Sequence, residues 1–342
     1  MTDLTPGPVT LLDVANEAGV SLATASRAIN GSTRKVREDL RERVLEAALK
    51  LNYSANAPAQ AMARGRTDVV GLIVHDIADP YFSSIAAGVM GAAESHDLLV
   101  TLGSTVRRPE RELDYLRVLR GQRSRAVILA GSRVDDESLL ARLREQGEAF
   151  ERSGGRVVVI SQNRLPFDTV VIENRSGAKA LASELTRLGY RSFAVLGGPN
   201  KLLTARDRVL GFREGITKAG LPAPLVVHGD FTRDGGYNAM DAVLESGAPI
   251  DCVLAVNDVM AVGAMAACRA RGLRLPQDMA LAGFDDIGTL RDVVPSLTTV
   301  RLPLEQIGAL ALDLVVSADG AIEARTRRVK GEVLVRESTP GR

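Results

Sequence analysis

From residue 68 onward, short uninterrupted apolar runs alternate with amphipathic stretches. Runs of this length are typical of strands that are buried on both faces, and such strands form parallel sheets. The runs lie at 69–74, 98–102, 126–130, 157–161, 169–172, 193–197, 252–256 and 279–283. Strand–helix alternation predicts right-handed βαβ units, and about eleven strands would be many for one twisted sheet. We therefore predict an α/β body made of two parallel-sheet lobes.

Before residue 68 the apolar positions recur at helical spacing instead. Thr10 and Asp13 can form a near capping box at the start of a first helix, and Gly19 can end it. Ser21 can cap a second helix, and a third is predicted over 38–51. The apolar stripes of these helices are Leu11, Val14, Ala15 and Ala18, then Ala25, Ala28 and Ile29, then Leu40, Val44, Ala47, Ala48 and Leu51. The first 53 residues therefore predict a small helical domain.

The outer side of the second helix is short, polar and carries a single arginine. Its residues are Ala23, Thr24, Ser26, Arg27 and Asn30. A DNA major groove admits one helix, with small hydroxyls reaching phosphates and a long donor reaching base edges. The two helices therefore predict a DNA-reading helix-turn-helix. An ordinary helical hairpin inside a protein core is the alternative.

The headpiece and the body together resemble the LacI/GalR family of bacterial transcription regulators. Near the start, the resemblance rests on VTLLDVANEAGVSLATASRAIN (9–30) and LNYSANAPAQAMARG (51–65). In the body it rests, in order, on DPYF (79–82), TARDRVLGF (204–212), GDF (229–231), AVNDVMAVGAM (255–265), AGFDD (282–286), PSLTTV (295–300) and VRES (335–338). It covers nearly the whole chain. It implies a helix-turn-helix headpiece (1–53), a hinge helix or linker (54–67) and a two-lobed periplasmic-binding-protein-like body.

The resemblance also implies the lobe boundaries and the DNA contacts. Crossings near 162, 292 and 322 would divide the body into an N-terminal lobe (68–162 with 293–322) and a C-terminal lobe (163–292 with 323–342). The implied DNA contacts are Thr10, Ser21, Leu22, Ala23, Thr24, Ser26, Arg27, Asn30, Lys35 and Arg37 in the headpiece, and Asn56, Ala59 and Met62 in the hinge. In relatives two hinge helices pair in the minor groove, and Met62 stands where a leucine wedge is common.

The headpiece departs from the family pattern at the start of its reading helix and before its third helix. Leu22 and Ala23 can touch a thymine methyl but make no hydrogen bonds to base edges, so base choice there rests on Arg27 and on DNA shape. Arg37 stands where the family usually has a phosphate-contacting serine that also caps the third helix. We therefore expect a weakened cap, with a guanidinium still able to reach phosphate.

Ligands of open α/β sheets bind beyond the carboxyl ends of the strands. This rule and the resemblance together select Asp76, Tyr81, Phe82, Ser132, Gln162, Thr204, Arg208, Phe231, Asn257 and Asp285. Aromatic faces beside a few hydrogen-bonding groups suit a polyhydroxylated ring. The predicted effector is a sugar or sugar derivative, with a nucleoside or purine as the alternative. Helix-start packing for Phe82, a surface ion pair for Arg208 and a helix cap for Asp285 are the purely structural alternatives.

Composition mainly excludes other classes of protein. The net charge of +1 gives no overall sign of nucleic acid, and the two cysteines, Cys252 and Cys268, are expected to be buried apolar residues. MTDLTPGP has no signal-peptide pattern, and no apolar stretch approaches the roughly 20 residues of a membrane span. We therefore expect a cytoplasmic protein.

The three histidines, His75, His96 and His228, lie far apart and have no metal-like or catalytic spacing. We therefore predict a protein that is not an enzyme and holds no cofactor or metal. The prediction is a homodimeric regulator, most often a repressor in such a family, whose affinity for a pseudo-palindromic DNA operator is changed by the effector. No leucine heptad follows the last apolar run, which favours a dimer over a tetramer. A transport-type two-lobed binding protein is the alternative.

Overall fold

The computed structural model describes residues 9–30, 36–53, 66–317 and 323–342. The chain divides into one unit at 1–67 and a second at 68–342. The first unit contains the predicted headpiece, and the second contains the predicted body. Most of the predicted hinge, residues 54–65, lies outside the described residues.

The headpiece is formed by three short helices, α1 (Leu11–Glu17), α2 (Leu22–Asn30) and α3 (Glu38–Lys50). Their predicted inner faces meet in one core, whose buried members are Val14, Ala15, Ala18, Ala25, Ala28, Val44 and Ala47. Thr10 and Asp13 form the predicted capping box, and Gly19 follows α1 with a φ of +63°. This left-handed conformation carries little strain for a residue without a Cβ, so Gly19 is placed to turn the chain into α2.

The body has two lobes of α/β structure. Its helices are α4 (Pro80–Glu94), α5 (Arg111–Gly121), α6 (Glu137–Arg152), α7 (Asn174–Arg187), α8 (Leu203–Lys218), α9 (Arg233–Glu245), α10 (Asp258–Ala270) and α11 (Leu304–Val316), with a 3₁₀ turn at Gly288–Asp292. Its strands are β1 (Val69–Val74), β2 (Leu99–Ser104), β3 (Ala126–Ala130), β4 (Val157–Ile160), β5 (Asp168–Ile172), β6 (Phe193–Gly197), β7 (Leu225–His228), β8 (Cys252–Ala255), β9 (Ala280–Ala282), β10 (Thr299–Arg301), β11 (Thr326–Val329) and β12 (Glu332–Leu334).

The first lobe is a six-stranded parallel sheet of order β11-β5-β4-β3-β1-β2. The second lobe contains a four-stranded parallel sheet of order β7-β6-β8-β9 and the antiparallel pair β10–β12. Each predicted strand is present, with bounds shifted by at most a few residues. The central strands are buried along their length, as their uninterrupted apolar runs require. The predicted fold class is confirmed.

The chain crosses between the lobes later than the resemblance implies. β5 stays in the six-stranded sheet beside β4, and Leu165 and Phe167 in the connection between these strands are buried in that lobe's core. β10 lies alongside the β9 region, and β11 returns to β5. The crossings therefore follow Ile172, Arg301 and Val329, and the predicted positions near 162, 292 and 322 are wrong. At 162–167 the chain only loops back from β4 to β5 within the first lobe.

Both cysteines are buried and unbonded, as expected. In the part of the chain that the structure describes, no helix is both long enough and apolar enough to cross a membrane.

Candidate DNA-binding face and ligand cleft

The outer side of α2 is open to solvent over the predicted reading residues. Leu22 is 49% exposed, Ala23 and Arg27 are also exposed, and Thr24 and Ser26 are half-buried. This arrangement fits a helix that rests its inner side on α1 and α3 and offers the other side to a groove. The alternative, a hairpin buried in a core, requires these side chains to be covered by the headpiece, and they are not.

Small hydroxyl residues build the start of α2 and the start of α1. Ser21 Oγ accepts from the Thr24 backbone N–H at 3.1 Å and lies 2.8 Å from Thr24 Oγ1. Thr10 Oγ1 lies 2.6 Å from the Asp13 carboxylate, which also accepts from the Thr10 backbone N–H at 2.8 Å. Side-chain oxygens therefore already satisfy the backbone N–H groups of Thr10, Asp13 and Thr24 at these helix starts.

Arg37 precedes α3 without a side-chain capping bond, as the sequence predicts. Its guanidinium instead pairs with Asp39 at 3.0 and 2.7 Å and stays largely exposed. An exposed pair of this kind is weak, so a phosphate can compete for Arg37. Lys35, Asn56, Ala59, Met62 and the side chain of Asn30 lie outside the described residues.

A cavity of about 420 Å³ lies in the second unit, where the carboxyl ends of strands from both lobes meet. Its volume is within the range of about 300–1,000 Å³ that is typical of small-molecule sites. The lining residues are His75, Asp79, Tyr81, Phe82, Arg107, Pro109, Ser132, Pro199, Lys201, Leu202, Thr204, Arg208, Asp230, Phe231, Thr232, Asn257 and Asp285. They follow β1, β2 and β3 in one lobe and β6, β7, β8 and β9 in the other. The cleft therefore obeys the rule for open α/β sheets.

Arg208 is the central buried cation of the cleft and is only 1% exposed. Its Nη2 donates to Asp285 at 2.7 Å, its Nη1 to the Val256 carbonyl at 2.8 Å and its Nε to Asn174 at 2.8 Å. The guanidinium carbon also lies 3.8 Å from the ring centroid of Phe284. These contacts fix the guanidinium plane before any ligand arrives, and they exclude the surface ion pair that was the alternative for Arg208.

Asp285 is held in an unusual backbone conformation at the cleft floor, with a φ of +122°. Its N–H donates to the Val300 carbonyl at 2.9 Å, and its own carbonyl accepts from Leu302 N–H at 3.2 Å. A non-glycine residue with such a positive φ carries backbone strain on the order of 1–3 kcal/mol, and it keeps this conformation only where surrounding contacts hold it in place. Burial raises the pKa of Asp285 to about 7, although Arg208 opposes that rise. Among the described residues its side chain makes no helix-capping bond, so the capping alternative for Asp285 is excluded.

Four more of the polar and aromatic lining groups come from helix starts. Asn257 Oδ1 caps α10 by accepting from the Met260 N–H at 2.9 Å, which leaves its amide nitrogen without a partner among the described residues. Asp79 caps α4 in the same way, accepting from Tyr81 N–H at 3.1 Å. The Tyr81 and Phe82 rings meet edge to face with centroids 5.0 Å apart. Capping therefore fixes these side chains at the rim of a ligand-sized space.

Most of the predicted effector residues line this cavity, but Asp76 and Gln162 do not. Asp76 accepts from the Ala78 N–H at 3.1 Å and from Arg107 Nε at 3.3 Å. It therefore contacts a lining residue, Arg107, and does not line the cavity itself. Gln162 donates to Thr204 Oγ1 at 2.9 Å, which fixes the hydroxyl of a lining residue instead of reaching the cavity itself. Neither residue lines the cavity directly, and their predicted contact with an effector stays a prediction.

Sequence reasoning missed several lining residues, and one of them carried a usable signal. His75 follows β1 directly, so the strand-end rule could have selected it. Asp230 follows β7, which was not predicted because its residues are half-exposed and form no long apolar run. The others are Asp79, Arg107, Pro109, Pro199, Lys201, Leu202 and Thr232. Among the described residues, no group of three or more His, Cys, Asp or Glu is placed to hold a metal.

Comparison with known proteins finds matches both to the helical headpiece and to the body that contains the cleft. The family model described as bacterial regulatory proteins, lacI family, matches residues 10–56, and the one for a periplasmic binding protein-like domain matches 182–339. The ribose operon repressor of Halalkalibacterium halodurans is 32% identical over 334 residues, 97% of each chain. The chain belongs to the lacI family of bacterial regulatory proteins.

Solved structures agree with this assignment over nearly the whole length of the regulator. The lac repressor dimer bound to operator and the anti-inducer ONPF has a TM-score of 0.83 and 26% identity, covering 97% of this chain and 99% of that one. The complex of the transcriptional regulator CelR with cellobiose has a TM-score of 0.68 and 30% identity, covering 96% and 99%. This lacI-family regulator is therefore a ligand-responsive DNA-binding protein, and the relatives named here are transcription regulators.

Proposed function

We propose that this regulator is a homodimeric operator-binding repressor whose cleft binds a neutral sugar. The cleft carries the proposal, because one small cavity joins aromatic rings from one lobe to a fixed arginine–carboxylate pair from the other. A ligand that binds both lobes stabilises the lobe arrangement it prefers, by no more than its difference in affinity between the arrangements. In this scheme the hinge (54–67), with Asn56, Ala59 and the wedge Met62, passes the change to the headpiece.

The charges of the lining support an uncharged ligand. Asp79, Asp230 and Asp285 balance the positive charges of Arg107, Lys201 and Arg208. Arg107 is further occupied by Asp76 at 3.2 Å and by Asp79 at 3.5 Å. A phosphate would therefore need to displace existing ion pairs, whereas hydroxyl groups can use the free amide of Asn257 and the outer oxygen of Asp285. The names of two relatives, a ribose operon repressor and a cellobiose complex, support the same class.

A thermal-shift and calorimetry screen on the full chain tests the effector class. Ribose, cellobiose and related neutral sugars are expected to raise the unfolding temperature and to change the affinity for DNA, whereas their phosphates are expected to do neither. A response to nucleosides or purines alone would contradict the sugar proposal and support the alternative. Whether binding lowers or raises DNA affinity decides between an inducer and a corepressor.

Arg27 is proposed to read a base edge from the exposed side of α2. Arg27→Ala is expected to weaken binding to the preferred duplex by about 10- to 100-fold and to relax base preference, because a good arginine–base contact contributes about 1–3 kcal/mol of discrimination. Selection from a randomised duplex pool measures both effects. The matched control is Arg37→Ala, which is expected to weaken binding to all sequences alike and to lower the salt slope by about one. An unchanged preference profile for Arg27→Ala would contradict the reading role.

A second copy of the chain is proposed to cover the edge strand β2. Val100 and Leu102 lie on the same face of the sheet as Val70 and Leu72, the face that packs on α4. On that side Leu102 is 36% exposed and Met90 of α4 is 43% exposed. Exposed apolar groups beside an open strand edge favour an interface, and the lac repressor relative is described as a dimer.

Light scattering on variants of β2 tests the dimer. Leu102→Asp is expected to convert a dimer to a monomer at micromolar concentration, because the substitution buries an unpaired charge in the interface. Leu99→Asp is the matched control, since Leu99 is 66% exposed on the opposite face of the same strand. A monomer from Leu99→Asp alone, with an intact dimer from Leu102→Asp, would place the interface on the other face.

A further inference from the structure

A buried ion pair lies beside the cleft and outside its lining. Glu112 of α5 and Arg133, just after β3, are 1% and 2% exposed. Arg133 Nη1 and Nη2 donate to the two carboxylate oxygens of Glu112 at 2.6 and 2.8 Å, and Nη2 also approaches the Gly131 carbonyl at 3.3 Å. Burial alone would raise the pKa of Glu112, but Arg133 and His75 lower it to about 2. Glu112 is therefore a permanent anion at neutral pH.

Stability does not account for this pair. Moving both charges out of water carries a large desolvation cost, and apolar residues of similar volume commonly serve as well in such positions. The Nε atom of Arg133 is buried and has no hydrogen-bond partner among the described residues, so the pair is not fully satisfied. The charge of Glu112 therefore calls for a role beyond packing, and the group it faces is His75.

His75 connects this pair to the cleft. The His75 ring packs directly on the backbone of Gly131, where an added Cβ would stand 2.3 Å from His75 Nε2. The centroid of the ring lies 5.7 Å from that of the Phe82 ring. His75 Nε2 is buried, has no hydrogen-bond partner among the described residues and lies 3.6 Å from Glu112 Oε1. Of the two tautomers of the uncharged ring, an adjacent carboxylate favours the one with its proton on the nitrogen that faces it, here Nε2. The other nitrogen, Nδ1, then has a free lone pair on a residue that lines the cavity.

We propose that Glu112 and Arg133 are positioning residues that hold the proton of His75 on Nε2, so that Nδ1 accepts a hydrogen bond from an effector hydroxyl. Arg133 orients the carboxylate, the carboxylate selects the tautomer, and Gly131 and Phe82 hold the ring plane. The proposal rests on the proposed function of the cleft as an effector site. It adds a specific acceptor to a lining whose arginine and amide groups supply donors, so the effector must present a hydroxyl at this point.

Nitrogen-15 spectra of the full chain with labelled histidines test the tautomer without any ligand. His75 is expected in the Nε2–H form. His228 gives an internal reference of the opposite kind, because its Nδ1 lies 2.8 Å from the Gly198 carbonyl and must donate to it. His75→Gln assigns the resonance. A wild-type His75 in the Nδ1–H form would overturn the proposal.

Two variants test the positioning step. Glu112→Leu/Arg133→Met removes both charges and keeps the volume, so the fold is expected to survive while His75 loses its tautomer preference. Glu112→Gln removes only the negative charge and is also expected to raise the fraction of His75 in the Nδ1–H tautomer. This single variant provides the test if the double variant does not fold. An unchanged tautomer in whichever variant is folded by circular dichroism would overturn the role of Glu112.

Titration with ribose and with cellobiose separates this inference from the proposed function. The sugar that binds is expected to move the Nδ1 resonance of His75. His75→Leu is expected to lower the affinity for that sugar about tenfold, and His96→Leu is expected to leave the affinity unchanged. Binding without movement of that resonance would overturn the acceptor role while leaving the sugar class intact. A chain that binds neither sugar would contradict the sugar class, and the tautomer spectra would still decide the positioning role.

Discussion

Arg208→Met is expected to lower the free energy of unfolding by about 3–5 kcal/mol at pH 7 and to abolish the effector response. The substitution leaves the buried Asp285 either as an unpaired anion or as an acid that must hold a proton at pH 7, and removing one partner of a buried ion pair typically has this cost. It also leaves Asn174 and the Val256 carbonyl without the donors that now satisfy them. Urea unfolding at pH 7 measures the stability, and the thermal-shift response to the sugar found in the screen measures the function.

Arg206→Met on the same helix is the matched control. Arg206 pairs with Asp135 at 2.7 Å, and both side chains are more than 40% exposed. An exposed pair of this kind contributes about 0–1 kcal/mol, so the control is expected to be near neutral and to keep the effector response. Equal losses of unfolding free energy from the two substitutions would mean that the buried pair stabilises the fold no more than the exposed pair does. A smaller loss for Arg208→Met at pH 5 than at pH 7 is expected, because a protonated Asp285 needs no cation.

Much of the fold could be predicted because the central strands carry uninterrupted apolar runs. β3 and β6 have the predicted bounds, since both faces of these strands are buried and nothing polar interrupts them. β11 could not be predicted in this way, because Thr326, Arg327 and Arg328 are exposed at the sheet edge and only Val329 is buried. A strand that pairs on one side only needs few apolar residues, so its sequence resembles a loop.

Cleft residues could be predicted from the sequence where the side-chain type itself indicates ligand binding. They could not be predicted where the role of a residue depends on a partner that is distant in the sequence. Phe82, Arg208 and Asp285 stand at strand or helix ends and are residue types that bind polar rings, so both the strand-end rule and the resemblance select them. Glu112 gives no such signal. In RELDYLRVLRG it reads as an ordinary charged position on an amphipathic helix, and only the fold reveals that Arg133 lies opposite it. Long-range pairing of charges is not encoded in local periodicity.

Asp258 is expected to make the protein less stable as the pH rises from 4 to 7, by on the order of 3 kcal/mol. The residue is fully buried at the start of α10, where Oδ1 accepts from the Thr299 hydroxyl at 2.7 Å and Oδ2 from the Ile287 N–H at 3.1 Å. Burial raises the pKa of Asp258 from its usual 3.8 to about 6, and the hydrogen bonds only partly oppose this. Between these two values the folded chain holds a proton that the unfolded chain has released, so raising the pH favours unfolding.

Asp258→Asn is expected to remove this pH dependence and to match or exceed the wild type at pH 7. An asparagine resembles the protonated acid, because its oxygen can accept from Ile287 while its amide nitrogen donates to the Thr299 hydroxyl. The difference in unfolding free energy between the two proteins, measured by urea titration at several pH values, isolates Asp258 from other titrating groups. Asp278→Asn is the control of opposite sign, since Arg274 lowers the pKa of that exposed carboxyl to about 2. Its contribution is present above pH 4 and fades as the pH falls towards 2. A wild type and an Asp258→Asn variant with parallel pH profiles would show that Asp258 is ionised in the folded protein at pH 5, and that its two hydrogen bonds offset its burial.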